Sequence, residues 1–322
     1  MFGTYRTLLA LGVVAQHLVG ARMTGNYAVF GFYILSGYLM TFIMQNNYGY
    51  SAVGKSRYAT NRFLRIYPTY WVASLTTLVL ILAFGEDVSR DYHNAMFVPA
   101  SLTELLANLL LVLPHDFLPR LTPPARALTV ELCFYILIGL GLSKSRLITS
   151  VWLIAAVLFH VVALYMELTF GARYYSVYAA ALPFATGAMI YHYRDELARW
   201  VRSPVKPVDP YLPLLLWLAI AVNWYVADTQ AAWNIRSAGF YTNFLLCASM
   251  VVVLIIRPLL PVLPKWLDAQ IGDLSYPIYL IHLQVGLIVF AALGAMGLDY
   301  GSQDIRILLP ALPLIFFGSW FL

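Results

Sequence analysis

Apolar runs long enough for a helix to cross a bilayer, about 20 residues each, recur from one end of this 322-residue chain to the other. No other feature narrows its folding options as far, because a soluble core could not absorb so many of them. Hydrophobic residues make up 61% of the chain and charged residues only 11%, where a soluble domain carries about a quarter charged. Mean hydropathy is +0.74. The period-two alternation of an outer-membrane barrel is missing. The expectation is an all-α, polytopic transmembrane helical bundle forming a single integral-membrane domain over residues 1–322, with no soluble domain appended.

The runs place spans at roughly 4–20, 28–45, 67–84, 125–142, 147–167, 174–192, 211–227, 239–256, 274–293 and 307–322, ten in all. The first reads as a retained span rather than a cleaved leader, since it lacks a multiply charged start and contains His17. The piece SLTELLANLLLVL, 101–113, is too short and too polar at its start to cross, and is expected to form one short re-entrant or interfacial helix.

Basic residues test this layout. With the N-terminus inside, cytoplasmic loops hold Lys55, Arg57, Arg62, Arg65, Lys144, Arg146, Arg194, Arg199, Arg202, Lys206, Arg257 and Lys265, against Arg22, Arg90, Arg120, Arg173, Arg236 and Arg306 outside. Arg6 and Arg126 stand at span ends. Counting 101–113 as a full span would largely reverse the asymmetry, so the positive-inside rule predicts ten spans with both termini cytoplasmic. The net charge of +5 is scattered through loops and gives no nucleic-acid footprint. Cys133 and Cys247 lie in apolar segments and read as buried hydrophobes, and no metal-ligand spacing occurs among the histidines His93, His115, His160 and His192. Pro-rich RSPVKPVDPYLP, 202–213, is a connector that cannot continue a helix, and LPHDFLPRLTPPAR, 113–126, is suited to part of a pocket mouth.

The polar exceptions inside the apolar runs carry the functional signal. YRTLLALGVVAQHLV, 5–19, holds Arg6 and His17, although an ionisable group at mid-bilayer costs roughly 3 kcal/mol. They are eleven positions apart, which on a helix leaves them about 20° apart on one face and about 16 Å apart along it. An anion held by guanidinium at the cytoplasmic mouth could thus extend inward to an imidazole, and neutral His17 is a candidate general base. In NRFLRIYPTYW, 61–71, Arg62 and Arg65 share a helical turn and suit bidentate phosphate binding, and Pro68 is expected in the first turn of the third span. Glu131 in LTVELCFYIL needs a partner: an imidazole would suit it, or a structural pairing with Arg126 or another buried polar group. In GFYILSGYLMT, 31–41, Ser36 beside Gly37 reads as a small-residue helix contact rather than a nucleophile. GDLSYPIYLIHLQ, 272–284, with Pro277 in its opening turn, is expected to kink and line a cavity; His282 reads as a hydrogen-bonded bundle histidine in preference to a second proton-active group.

These five stretches, in their order along residues 5–284, resemble the acyltransferase 3 family of bacterial integral-membrane acyltransferases. The resemblance implies an acyl group, usually acetyl, taken from cytoplasmic acyl-CoA and passed to a sugar hydroxyl of a surface or exported glycan or its lipid-linked precursor. It implies roles for Arg6 and His17 as an essential first-span pair, for Arg62 and Arg65 on the donor side, and for Glu131 as a site acid. Members often carry a tryptophan about five residues before that glutamate and an acidic residue just after it; here Arg126 and Leu132 stand there, which leaves acceptor preference open.

The resulting expectation is an O-acyltransferase of the bacterial cytoplasmic membrane. Its catalytic residues would be His17 and Glu131, and its donor-binding residues Arg6, Arg62 and Arg65. It would need no metal and no permanently bound cofactor, and its partners would be acyl-CoA, a carbohydrate acceptor and membrane lipid, without nucleic acid. A transporter or flippase with these charges along its path is the alternative, and a scaffold for glycan assembly comes third.

Overall fold

Among the described residues helices account for 81% and no strand occurs. The computed structural model describes residues 2–113, 119–201, 211–229, 233–257, 259–260, 263–298 and 300–322. In chain order the α-helices are α1 (Gly3–Val19), α2 (Thr24–Ile43), α3 (Ala52–Phe84), α4 (Glu86–Tyr92), α5 (Leu102–Leu109), α6 (Arg126–Leu140), α7 (Arg146–Tyr165), α8 (Phe170–Tyr175), α9 (Val177–His192), α10 (Arg194–Val201), α11 (Leu212–Thr229), α12 (Trp233–Leu254), α13 (Lys265–Ala295) and α14 (Ile305–Trp320). A π-helical turn at Met44–Tyr48 extends α2, and a 3₁₀ turn at Pro123–Ala125 leads into α6.

Each of the ten expected spans is helical. Seven of these helices, α2, α3, α6 taken together with its leading 3₁₀ turn (Pro123–Leu140), α7, α11, α12 and α13, are long and apolar enough to cross a membrane. The other three, α1, α9 and α14, have 17, 16 and 16 residues. The chain is a multi-pass membrane protein, and its surface shows why. On α7 the exposed positions Leu147, Val151, Ile154, Leu158 and Val161 recur every three to four residues, while Thr149, Trp152, Ala156, His160 and Ala163 are buried. Apolar side chains face outward, toward lipid, and the mixed face turns into the bundle.

The short segment 101–113 is helical over only eight residues, α5, closed by a capping box between Ser101 and Glu104. Leu102, Leu105, Leu106 and Leu109 are exposed along it, and Asn108 is buried, its amide accepting from Leu121 N–H and donating to the Pro119 carbonyl. The expected short helix is present. Two expectations need correction. Pro68 does not open a span: α3 begins at Ala52, capped by Ser51 accepting from Gly54 N–H, and runs through Pro68 for 33 residues. The polar stretch before the proline is made of helix-tolerant residues, so an apolar-run criterion starts the helix too late. Likewise Pro277 lies well inside α13 rather than in an opening turn. Arg173, assigned to an external segment, is wholly buried and donates to Ser237 Oγ at 3.0 Å. His115 and residues 202–210 of the Pro-rich connector lie outside the described residues, as do 114–118 of the segment 113–126.

Helix packing around α1 positions everything that follows. Residues 3–18 of α1 run alongside residues 268–286 of α13 in the same direction. At one end Gly3 and Gly272 are in backbone contact, so a Cβ at Gly272 would come within 2.4 Å of Gly3 Cα. At the other end Leu18 packs on Gly286. Asp268 of α13 caps α1 from outside: its carboxylate accepts from Gly3 N–H (3.0 Å), Thr4 N–H (2.9 Å) and the Thr4 hydroxyl (2.8 Å). A helix leaves its first N–H groups unpaired, and α1 has no side-chain cap of its own. At its far end Gly20, at φ +80°, takes the left-handed conformation that closes the helix through its N–H to Gln16 O. On the other side α2 meets α9 backbone to backbone, because Gly37 and Gly187 leave no side chain between Phe184 and Ile34.

Candidate active site

A cavity of about 320 Å³ opens between α1, α2, α3, α6 and α13. Each helix contributes one face. From α2 come Val29, Phe32, Tyr33, Ser36, Met40 and Ile43; from α6, Ala127, Leu128, Glu131 and Tyr135; from α13, Ser275, Tyr276 and Tyr279. All three sets follow the three-to-four spacing of a helix surface. Arg6 of α1 and Arg62 and Arg65 of α3 complete the wall. Four of the five residues singled out in the sequence therefore line one cavity, although they come from three helices.

The guanidinium groups are held to different degrees. Arg6, half-buried, is tied to α13: Nε donates to Ser275 Oγ at 3.3 Å, Nη2 donates to the Gly272 carbonyl, and Asp273 lies 3.8 Å away. Arg62 donates to Met40 Sδ at 3.6 Å and to Asn61, while its Nε is buried without a partner. Arg65 is exposed. The three cations face a space whose lining, among the described residues, includes one carboxylate, Glu131.

Of the partners expected for Glu131, the structure supplies neither an imidazole nor Arg126 but other polar groups. Ser36 Oγ donates to Oε1 at 2.9 Å and Tyr135 OH donates to Oε2 at 3.2 Å. Arg126 instead donates to the Tyr175 carbonyl and stacks its guanidinium over the Tyr175 ring at 4.4 Å. Ser36 is thus more than a packing residue: Gly37 makes the tight helix contact, and Ser36 faces the cavity. The signal was present in α2, where Tyr33, Ser36 and Met40 form a polarisable stripe at helical spacing.

His17 does not line this cavity. Its Nδ1 lies 2.7 Å from His282 Nε2, with the two rings nearly parallel, 6° between planes. His282 is wholly buried on α13, one turn past Tyr279, whose ring centroid is 6.5 Å from that of His282. Tyr279 is itself a cavity residue, fixed by its hydroxyl donating to the Pro124 carbonyl. The imidazole pair is therefore next to a lining residue of the cavity, Tyr279, without lining it. Arg6 and His17 share a helix face as the spacing required, but Arg6 lines the hollow and His17 does not. Of the remaining histidines, His160 bonds Tyr241 and the Ala179 carbonyl, and His192 bonds the Ser143 carbonyl. No cluster of metal-ligating side chains occurs among the described residues.

Three features set what this arrangement can do: a cationic mouth, an inner wall carrying a carboxylate with two hydroxyls, and an imidazole pair one side chain away. It can hold an anion by one end and present a neutral, extended arm to proton-transferring groups.

Compared with known proteins, the chain matches the family model described as an acyltransferase domain over residues 2–322. No match was found among curated proteins or among solved structures.

Proposed function

The chain belongs to the acyltransferase 3 family, and we propose that it is a membrane O-acyltransferase moving an acyl group, acetyl in the first instance, from cytoplasmic acyl-CoA to a sugar hydroxyl of a surface or exported glycan. The observation that carries this reading is the single cavity shared by Arg6, Arg62, Arg65 and Glu131. Guanidinium groups hold phosphate through paired, charge-assisted hydrogen bonds. Arg62 Nε, buried without a partner, supports this role because an orphaned buried donor costs about 1–3 kcal/mol, a cost that a phosphate oxygen would remove. A space of about 320 Å³ accepts the pantetheine arm and thioester; the nucleotide stays at the mouth with Arg65.

In this mechanism the acceptor hydroxyl attacks the thioester carbonyl carbon while His17 takes its proton. The carbon–sulfur bond breaks, and the proton passes to the departing thiolate. Glu131, held by Ser36 and Tyr135, offers the cavity a fixed negative charge or acceptor close to the thioester. Tyr279 must swing for the thioester to meet His17, which makes its ring the gate between donor cavity and imidazole pair. No metal and no resident cofactor has a step in this scheme.

The topology that goes with it is ten spans with both termini cytoplasmic, in a bacterial cytoplasmic membrane. The parallel course of α1 and α13 supports it, since a first and a ninth span must point the same way. In the test, purified protein in nanodiscs is given radiolabelled acetyl-CoA and candidate glycans. Label moves to sugar with the unaltered chain and stays on CoA with His17→Ala, which inserts normally. Full transfer by His17→Ala would remove this mechanism, and liposome uptake without transfer would point to a transporter.

A further inference from the structure

His282 is buried, stands outside the lining of the donor cavity, and has no task in the scheme above. Its hydrogen bonds nevertheless decide the chemistry of His17. His282 Nδ1 lies 3.3 Å from the carbonyl oxygen of Ile278, four residues back on α13. A carbonyl oxygen only accepts, so Nδ1 carries the hydrogen. In a neutral imidazole the other nitrogen, Nε2, is then a lone pair, and it faces His17 Nδ1 at 2.7 Å. The hydrogen in that short contact must belong to His17. His17 is left as the Nδ1–H tautomer with its basic lone pair on Nε2, the opposite of the form an imidazole prefers in water.

We propose that His282 is a positioning residue for acyl transfer, selecting the tautomer of His17 through the Ile278 carbonyl and holding the ring by the Nδ1–H···Nε2 bond. It replaces the carboxylate that a triad uses for the same purpose. The proposal rests on the reading of His17 as the base. During transfer His17 Nε2 gains the hydroxyl proton, the new carbon–oxygen bond forms, the carbon–sulfur bond breaks, and the same proton leaves with the thiol. Throughout, His17 Nδ1–H continues to donate to His282, so the intermediate imidazolium keeps one satisfied donor in a buried setting. Without that partner a buried charged donor would stand unpaired, the costliest state for such a group. Two consequences follow. The neutral pair admits a single hydrogen arrangement, and any residue at 282 that can accept at the Nε2 position preserves it. Glutamine can, because its Oε1 sits the same number of bonds from Cβ; phenylalanine cannot.

The experiment uses the full chain in nanodiscs with ¹⁵N-labelled histidine, the His17 signal being the one lost in His17→Gln. The unaltered chain shows His17 protonated at Nδ1 and unprotonated at Nε2. His282→Gln retains that pattern and stays within about 10-fold of the parent kcat, whereas His282→Phe loses it and falls about 10²-fold or more, the scale of general-base catalysis. KM for acetyl-CoA stays within about two-fold in both, a split expected when only a transition-state contact is lost. A His17 signal protonated at Nε2 in the unaltered chain overturns the proposal. So does a His282→Phe variant that keeps the parent kcat while His17→Ala is inactive, and so does a His282→Gln variant as impaired as His282→Phe. If His17→Ala itself transfers label, it is the reading of His17 as base that fails. Should His282→Phe not fold, the tautomer in the unaltered chain and the His282→Gln kinetics decide.

Discussion

Replacing Asp268 by alanine removes the cap on α1 without touching the cavity. Its carboxylate accepts three hydrogen bonds at 2.8–3.0 Å from Gly3 and Thr4, and all three residues are buried. Bonds to a charged acceptor contribute about 1.5–3 kcal/mol each, but the three share one acceptor and are not additive. Loss of an ordinary N-cap costs about 0.5–2 kcal/mol. Alanine here strands two backbone N–H groups and a hydroxyl together, so the expected loss is about 3 kcal/mol. At roughly 2 °C per kcal/mol for a chain of this size, the melting midpoint in nanodiscs falls by about 6 °C. The Asp268→Asn variant still accepts through one oxygen, so it loses about half as much. Thr4→Val, which deletes only the hydroxyl, costs about 1 kcal/mol. Because Arg6 lies less than a turn beyond Thr4, the start of α1 also sets the position of that guanidinium, and Asp268→Ala raises KM for acetyl-CoA. Thermal unfolding followed by tryptophan fluorescence ranks the three variants. A midpoint within about 1 °C of the parent for Asp268→Ala, or an equal loss for Asp268→Asn, would refute the capping argument.

Arg65→Ala and Arg62→Ala should each raise KM for acetyl-CoA by about 10-fold or more, with kcat little changed, since each removes about 1.5–3 kcal/mol of phosphate binding; steady-state kinetics at fixed glycan checks this, and an unchanged KM in both would move the donor elsewhere. Tyr279→Ala should join the donor cavity to the imidazole pair and raise thiol release from acetyl-CoA in the absence of any glycan, measured with a thiol-reactive dye; a rate equal to the parent would show that Tyr279 gates nothing. His93, in the segment after α4, is held at about 4 by burial and by the nearby Arg120 guanidinium. A folded-state value lowered from 6.5 means the neutral ring is favoured on folding, so this stabilisation is complete above about pH 6.5 and lost as pH falls toward about 4. The melting midpoint should drop over that window and His93→Gln should flatten the drop; an unaltered slope would exclude His93 as its source.

Hydrophobic run length located the seven helices long and apolar enough to cross a membrane and marked 101–113 as too short, because the thickness of a bilayer imposes a length on any span whatever its neighbours. Local spacing sufficed to put Arg62 with Arg65 on one turn, and the cost of charge in lipid was enough to single out Arg6 and Glu131. Those inferences needed only one helix at a time. The partners did not follow. In a membrane both the lipid-facing and the bundle-facing sides of a helix are largely apolar, so hydrophobic periodicity says little about which helix meets which.

His17 meets His282 across 265 positions of sequence, and Glu131 meets Ser36 across 95. Asp268 closes a helix that begins 265 residues earlier. Nothing local to His17 distinguishes a base facing the donor from a ring held outside the cavity lining by a second histidine. That choice was made by the backbone contact of Gly3 with Gly272, which sets the register of α1 on α13 and with it the pairings of Thr4 with Asp268, Arg6 with Ser275 and His17 with His282.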